Sequence, residues 1–361
     1  MPRASSVEEW MSVLTPEHRR IAERLRRLVL DARGPQFTLV SRRLAVLKDR
    51  AVWLLLALLG SALLFAACAQ GTPARTRSPD TAKSAQSGTP TRFPLVQTQS
   101  PATSKDAPPT PELTVTFFDV GEEGDGFLVS TRAGNHMLVD GGRQSSGIAS
   151  RLRTLGVKRL DVVVGTNPDQ DHIGGLIEVL QTIPVGEVWD SGALNTTVTF
   201  QDYQDAIEQS DAELIEVRRG ETRSLGSLPV QVIHPSDTAF TGSNNNSVVL
   251  RMQVGQVSFL FTGDAEEPAE TDMIASGLGL KSTILKLGHH GSKTSTSPEF
   301  LAAVQPEITV YQAGANNQFG HPHPETLARL DRAGVKVFGT GKNGRVTITT
   351  DGKTYKVETE R

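Results

Sequence analysis

Two carboxylates and one imidazole lie within four residues of the chain, directly after a run of β-branched residues. The run, Val162–Val164, predicts a buried strand, and Pro168 ends it because proline has no N–H to donate to a ladder. Asp169, Asp171 and His172 follow. Crowding these groups is costly unless a cation offsets the repulsion between the carboxylates, so the segment predicts a metal site. An acidic surface turn with a helix N-cap at Asp171 would leave the same pattern.

Four further segments end in residues of the same types. In chain order they carry Asp140, Asp264, the pair His289 and His290, and the pair His321 and His323. Rigid strands often hold functional side chains at their loop ends, so these residues are expected to meet at one rim of a sheet sandwich. Aspartate and histidine together suit divalent cations of borderline to hard character. The pair of adjacent histidines could, taken alone, be a simple turn.

In this order the segments resemble the metallo-β-lactamase fold superfamily, and within it the extracytoplasmic hydrolase domain of ComEC-type DNA-internalisation competence proteins. The matching segments are Phe117–Gly121 with Gly124–Gly126, Leu138–Gly142, Asp169–Gly175, Asn244–Leu250, Thr262–Asp264 with Glu270, Leu285–Ser292, and Gly320–Pro324. The resemblance implies an α/β fold, an αββα sandwich of the metallo-β-lactamase type. The sequence has no bundle of apolar spans, so the chain resembles a stand-alone hydrolase domain and not a DNA channel.

The resemblance also implies a metal-dependent hydrolase with one or two divalent ions, Mn²⁺ or Zn²⁺, with Mg²⁺ as an alternative. The implied metal ligands are Asp169, Asp171, His172, Asp264 and His289. Residues expected to be further ligands, or to orient a ligand, are Asn167, Asp140, Asn244 and His290. Asp264 would bridge the ions, and His289 would be the ligand furthest along the chain.

Hydrolysis of this kind uses a metal-activated water, and the resemblance implies Asp171, His321 and His323 as catalytic residues. His321 or His323 would protonate the leaving group, because imidazole exchanges protons near neutral pH. Lys286 and Lys293 flank the two adjacent histidines and are expected to meet a substrate phosphate. The expected substrate is a phosphodiester, with DNA as one candidate, and no protein partner is indicated.

The chain departs from the superfamily's metal loop, His-x-His-x-Asp-His, at its two first positions. Asn167 stands in place of the first histidine and Asp169 in place of the second. The superfamily's third-motif histidine has no counterpart, and Asn244–Asn246 lies where it would fall. The resulting oxygen-rich site favours Mn²⁺ or Mg²⁺ over a tight pair of Zn²⁺ ions. A single-metal site and a degenerate site both stay open.

Three functions therefore remain open: a phosphodiesterase or nuclease of ComEC type, a metallo-hydrolase of an ester, lactone or amide, and an inactive binding domain with a decayed site. The charge distribution bears on the choice. Residues 1–111 carry about +8 and residues 112–361 about −11, with histidines neutral. Proteins that grip long nucleic acid normally present a basic stripe. The acidic domain therefore argues against tight, non-specific DNA binding.

The hydrolase domain is expected to span residues 112–361, and three segments of different character precede it. Residues 1–50 are basic and partly helical in pattern, and form either a cytoplasmic segment or an over-long gene start. Residues 51–68 hold an uncharged apolar run that ends at Cys68. Residues 69–111 are rich in Pro, Ser and Thr, which predicts a disordered linker.

The apolar run has two interpretations. It resembles a bacterial lipoprotein signal, which would be cleaved before a lipidated Cys68, but it could also be an uncleaved signal anchor. Basic residues precede the run, so either interpretation places the hydrolase domain on the extracytoplasmic face of the cell membrane. Cys68 is the chain's single cysteine, which excludes an internal disulfide and a cysteine-based zinc site.

Overall fold

A computed structural model describes residues 112–122 and 124–361. The predictions for residues 1–50, for the segment 51–68 with Cys68, and for the linker 69–111 lie outside the described residues. Within the described part of the chain, no helix combines the length and apolar character needed to cross a bilayer.

The described residues contain fifteen strands, which form two β-sheets. In chain order the strands are β1 (Leu113–Phe117), β2 (Phe127–Thr131), β3 (His136–Val139), β4 (Leu160–Gly165), β5 (Val185–Asp190), β6 (Glu213–Glu216), β7 (Thr222–Leu225), β8 (Leu228–His234), β9 (Val249–Val254), β10 (Val257–Phe261), β11 (Ile284–Lys286), β12 (Ile308–Tyr311), β13 (Lys336–Gly339), β14 (Val346–Thr350) and β15 (Tyr355–Thr359). The first sheet has the order β15-β14-β1-β2-β3-β4-β5-β6, and the second has the order β13-β12-β11-β10-β9-β8-β7.

Both sheets combine an antiparallel part with a parallel part. In the first sheet the pairs from β15 to β3 are antiparallel, and those from β3 to β6 are parallel. In the second sheet the pairs from β7 to β10 are antiparallel, and those from β10 to β13 are parallel. Parallel neighbours end at the same edge of a sheet, so each sheet presents several carboxyl ends side by side.

The helices of the described residues connect these strands. They are α1 (Ile148–Thr154), α2 (Gln170–Thr182), α3 (Val198–Gln209), α4 (Glu267–Ala275), α5 (Pro298–Val304), α6 (Pro324–Arg332) and α7 (Thr340–Asn343). Short 3₁₀ turns lie at Gln144–Ser146, Asn244–Asn246 and Gly288–Gly291.

Three hydrophobic clusters show that the sheets and helices form four layers. Alternate residues of a strand face opposite sides of its sheet. Met137 and Val139 of β3, like Phe259 of β10, therefore lie in a central cluster between the two sheets. Leu138 instead packs in a second cluster with α1, α2 and α3, and Leu260 packs in a third with α4 and α5. The mixed α/β, two-sheet architecture predicted from the sequence is confirmed.

The start of α2 lies against the loop that follows β3, and this contact brings the metal loop to the edge of the sheet. The Gly141 N–H donates to the His172 carbonyl at 2.8 Å, and the Gly175 N–H donates to the Gly142 carbonyl at 2.8 Å. A Cβ at Gly175 would lie 2.1 Å from the Gly141 carbonyl oxygen. Glycine at position 175 is therefore required by the close approach of two backbones.

Candidate metal centre

Four side chains converge where the parallel strands of the two sheets end. They are Asp171, His172, Asp264 and His290, and one ligand atom from each lies within 4.8 Å of the others. Asp171 and His172 belong to the first turn of α2, directly after β4, whereas Asp264 follows β10 and His290 follows β11. Each sheet thus contributes two side chains to one point.

The first-sheet half of this centre is organised around His172. Asp140 follows β3, and its Oδ2 lies 2.9 Å from His172 Nδ1. Thr166 follows β4 and donates to both Asp140 oxygens, from its N–H at 2.8 Å and from its Oγ1 at 2.7 Å. With Nδ1 held from behind, His172 Nε2 faces Asp264 Oδ2 at 3.0 Å and Asp171 Oδ2 at 3.8 Å. This arrangement orients the ring as an Nε2 ligand.

The second-sheet half is organised around His290. Its Nδ1 lies 3.0 Å from the Gln312 carbonyl oxygen and 3.2 Å from Asp125 Oδ1. Its Nε2 lies 3.4 Å from Asp171 Oδ2 and 3.6 Å from Asp264 Oδ2. As on the first-sheet side, one ring nitrogen is held by acceptors and the other points at the carboxylates of the centre.

Two buried polar atoms of the centre lack a hydrogen-bond partner among the described residues: Asp264 Oδ1 and His290 Nε2. A buried polar group without a partner costs about 1–3 kcal/mol, and a bound cation would remove that cost for both atoms. Two carboxylates and two imidazoles form a donor set that first-row divalent metals accept. The residues present therefore fit a divalent metal ion.

The charges of the centre shift the pKa values of its members strongly. Burial raises the pKa of Asp171, but the charges of His172 and His290 outweigh burial and lower it to about 2. Burial lowers the pKa of His290, but Asp264 and Asp125 raise it to about 10. The pKa of His172 is likewise raised, against burial, by Asp264 and Asp140. Metal-free, the centre thus holds imidazolium ions between carboxylates, and a metal must displace their protons.

His289, expected from the sequence as a ligand, lies outside this group of four, and His290 lies within it. Both residues have left-handed backbones, with φ of 45° and 55°. His289 Nδ1 lies 3.0 Å from Glu266 Oε1, which also accepts a 2.7 Å hydrogen bond from Thr294. The two neighbouring histidines therefore have different partners, one at the mouth of the site and one inside it.

Asp169 and Asn167 lie beside the centre but use their polar atoms in loop hydrogen bonds. The Asp169 carboxylate accepts from Asn195 Nδ2 at 2.9 Å and from the Ser243 hydroxyl. Asn167 Oδ1 accepts from the Asp169 N–H at 2.9 Å, and its Nδ2 lies 3.5 Å from Ser247 Oγ. Asp169, expected as a ligand, thus stands at the N-cap position of α2 without capping it, and is not among the converging four.

The Asn-rich segment Asn244–Asn246 forms a 3₁₀ turn that contacts the start of α4. Asn244 lies in the 3₁₀ turn, and its carbonyl accepts from the Ser247 N–H at 3.0 Å. The next residue, Asn245, accepts from the Glu266 and Ala269 N–H groups at 3.2 and 3.3 Å. Asn245 therefore fixes the start of α4, next to the loop that carries Asp264.

The two lysines expected at a substrate phosphate have different surroundings. Lys286 is completely buried, donates to the Leu287 carbonyl at 2.9 Å and pairs with Asp125. This placement differs from the expectation, because a buried, paired ammonium does not reach a substrate in solution. Lys293 is exposed, and its backbone N–H donates to His323 Nδ1 at 3.0 Å.

His321 and His323, expected as catalytic residues, lie at the mouth of the centre. The His321 ring is 5.5 Å from that of His289, 6.0 Å from that of His290 and 4.8 Å from that of His323, between ring centroids. Burial, together with the nearby charges of His321 and Lys293, lowers the pKa of His323. His323 is therefore largely neutral at neutral pH.

Sequence reasoning did not assign Asp125, Thr166, Gln312 or Glu266 to the site. Asp125 could have been found from the sequence, because it stands between Gly124 and Gly126 in a segment that follows a strand. The segments that carry the metal ligands have the same position. The other three are polar residues without a distinctive motif, and only their contacts identify them.

Comparison with known proteins supports the resemblance that the sequence segments indicate. The family model described as the metallo-beta-lactamase superfamily matches residues 119–314, a range that contains all four converging residues. The chain is 33% identical to ComE operon protein 3 of Bacillus subtilis over 195 residues, which are 54% of this chain and 25% of that protein. It is 32% identical to competence protein ComA of Neisseria gonorrhoeae over 253 residues, which are 66% and 34% of the two chains.

A third relative is recombination protein 2 of Haemophilus influenzae, which is 29% identical over 245 residues, covering 66% of this chain and 29% of that protein. The chain therefore spans between a quarter and about a third of the length of these curated relatives.

Proposed function

The chain belongs to the metallo-beta-lactamase superfamily, and we propose that its described part is a metal-dependent phosphodiesterase. The observation that carries the proposal is the convergence of Asp171, His172, Asp264 and His290 on one point, where two buried ligand atoms have no hydrogen-bond partner among the described residues. Recombination is a reaction of DNA, and competence is the uptake of DNA, so the names of the relatives favour a phosphodiester substrate, with DNA as the first candidate.

The four converging residues would hold one divalent ion. Asn167 and Asp169, which stand where the superfamily has two histidines, have polar atoms engaged in loop hydrogen bonds, and this supports a single ion. Mn²⁺ is the ion we expect, with Zn²⁺ and Mg²⁺ as alternatives. Such an ion, when bound, supplies Lewis acidity, which lowers the pKa of water and polarises the phosphoryl oxygen.

The chain's own residues would bind the substrate and supply the proton. Because the Lys293 N–H donates to His323 Nδ1, the neutral His323 ring carries its proton on Nε2. From there it can donate a hydrogen bond to an oxygen of the phosphate, and protonation of the leaving oxygen would fall to the neighbouring His321. The exposed ammonium of Lys293 would pair with the phosphate. The domain's net charge of about −11 supports local recognition of the phosphodiester over tight binding along a duplex.

A substrate panel tests the proposed activity. Full-length protein in detergent should hydrolyse bis(p-nitrophenyl) phosphate when Mn²⁺ or Zn²⁺ is added but not without metal, and it should leave nitrocefin and simple carboxylic esters intact. Asp171→Ala should abolish the activity, whereas the matched control Asp211→Ala, at an exposed carboxylate on another part of the surface, should not. Hydrolysis of esters or nitrocefin alone would favour the other metallo-hydrolase classes. Absence of metal binding and of all activity would favour a decayed site.

We further propose that this domain works outside the cytoplasmic membrane, held by the N-terminal segment. The support is the basic flank, the apolar run and Cys68 in the sequence. If Cys68 is lipidated, wild-type protein should partition into detergent with a mass that begins at residue 68, and Cys68→Ser should leave an uncleaved precursor. A membrane-bound wild-type protein that retains residues 1–67 would establish a signal anchor instead.

A further inference from the structure

Lys286 and Asp125 form an ion pair in the interior, behind the metal centre. Both residues are 0% exposed. Removing two charges from water costs several kcal/mol per ion, and only close pairing with additional hydrogen bonds recovers it. Lys286 Nζ obtains those bonds from the Leu287 carbonyl at 2.9 Å and the Gly263 carbonyl at 3.4 Å. Such a pair adds little to the stability of the fold, so its place next to the metal centre indicates a functional role.

The pair joins the two sheets at the end that carries the site. Asp125 lies between β1 and β2 of the first sheet, whereas Lys286 is the last residue of β11 in the second sheet. Gln312, after β12, holds the Asp125 segment in place, because its Nε2 donates to the Phe118 carbonyl at 2.9 Å and to the Gly126 carbonyl at 2.8 Å. The position of the Asp125 carboxylate is thus set by contacts from both sheets.

That carboxylate contacts His290 and lies beside the residues that orient His172. Asp125 Oδ1 is 3.2 Å from His290 Nδ1. Ligand atoms of Asp125, Asp140 and His172 also lie within 4.8 Å of one another, and all three residues are buried. Two carboxylates so close in the interior repel each other, and a positive charge beside Asp125 offsets that repulsion. Lys286 supplies that charge.

We propose that Asp125, with its charge balanced by Lys286, is the positioning residue of His290. It holds Nδ1 together with the Gln312 carbonyl, so that Nε2 faces Asp171 and the metal. It corresponds to Asp140 on the His172 side, and Lys286 allows the two orienting carboxylates to lie side by side. The inference rests on the metal site of the proposed function.

The test removes both charges at once, because removing one would leave the other buried without a partner. Asp125→Asn combined with Lys286→Met keeps the approximate shapes of both side chains. In the full-length protein in detergent, the metal-free double variant should melt close to the wild type. Its Mn²⁺ affinity should fall by about 10- to 100-fold, the effect typical of residues that orient a metal ligand. Calorimetric titration with Mn²⁺ measures the affinity without relying on activity.

The matched control is Arg219→Met with Asp272→Asn, which removes an ion pair between a loop and α4 that is outside the metal centre. It should leave Mn²⁺ affinity unchanged. A folded Asp125→Asn/Lys286→Met variant with wild-type Mn²⁺ affinity would overturn the inference and leave the proposed function intact. A wild type that binds no metal would instead overturn the proposed function.

If the double variant does not fold, the wild-type protein still decides the question. Histidine ¹⁵N resonances of the Zn²⁺-loaded protein should show His290 protonated at Nδ1 and coordinated at Nε2. The reverse assignment would overturn the inference, because Asp125 and the Gln312 carbonyl can hold Nδ1 only if it carries a proton.

Discussion

In both halves of the metal centre a carboxylate lies beside the Nδ1 of the histidine and orients the ring. The two halves differ in which sheet supplies that carboxylate. On the first-sheet side, Asp140 and Thr166 follow neighbouring strands of one sheet, and His172 lies in the helix that comes after one of them. On the second-sheet side, His290 depends on Asp125, which comes from the opposite sheet. The first half needs only one sheet to be formed, whereas the second half needs the two sheets to be docked. Predictions that separate the halves therefore test the site.

The largest effect is expected at Asp264, because both halves meet there. Its Oδ2 is 3.0 Å from His172 Nε2 and 3.6 Å from His290 Nε2. Asp264→Ala should weaken Mn²⁺ binding by more than about 100-fold, since it removes a ligand and not merely an orienting group. Calorimetric titration measures this loss, with the exposed Asp237→Ala as the control. Retained binding would place the metal elsewhere.

Asp140→Asn comes next, and it tests the first half alone. Asparagine keeps the shape but loses the charge that holds His172 Nδ1, so Mn²⁺ affinity should fall by about 10- to 100-fold. Comparison with Asp125→Asn/Lys286→Met then sharpens the contrast between the halves. Equal losses would show that both orienting carboxylates matter equally to the metal, whereas a loss confined to Asp140→Asn would leave the second half without an orienting role.

Asn167→His tests whether a second ion can be restored on the first-sheet side. Returning the superfamily's imidazole should raise Zn²⁺ affinity by about tenfold, because nitrogen ligands suit zinc better than an amide oxygen does. Native mass spectrometry would show whether the number of bound ions rises above one. If neither affinity nor stoichiometry changes, residue 167 does not approach the metal.

The smallest effect is expected for the stability of the metal-free protein at high pH. The pKa of His290 is raised from 6.5 to about 10, so its charge stabilises the fold fully below pH 6.5, and this contribution is lost as the pH rises through about 10. The melting temperature of metal-free protein should therefore decrease between these pH values. Bound metal should remove this dependence, because His290 is then neutral throughout. An identical pH profile with and without Mn²⁺ would contradict the assignment of His290 to the centre.

Local patterns were enough to predict the elements that carry the site. The β-branched run before Pro168 is β4, and the apolar residues before Asp140 and before Asp264 are β3 and β10, as expected. These predictions succeed because side-chain alternation and chain breakers act over a few residues. The family-specific order of the segments likewise identified the two-sheet fold. The sequence also identified Asp171, His172 and Asp264 as candidates, and the structure brings them together.

The sequence did not determine which of two similar residues faces the metal centre, or which polar side chains are buried. His289 and His290 are neighbours of the same type, and the left-handed turn at Gly288–Gly291 decides which one faces Asp171. Lys286 has the sequence context of an exposed phosphate ligand, but it is buried because Asp125, far along the chain, lies opposite it. The sequence thus predicted that aspartate and histidine side chains would be the metal ligands. Their partners were decided by the docking of two sheets, because burial and ion pairing depend on residues that only the tertiary structure brings into contact.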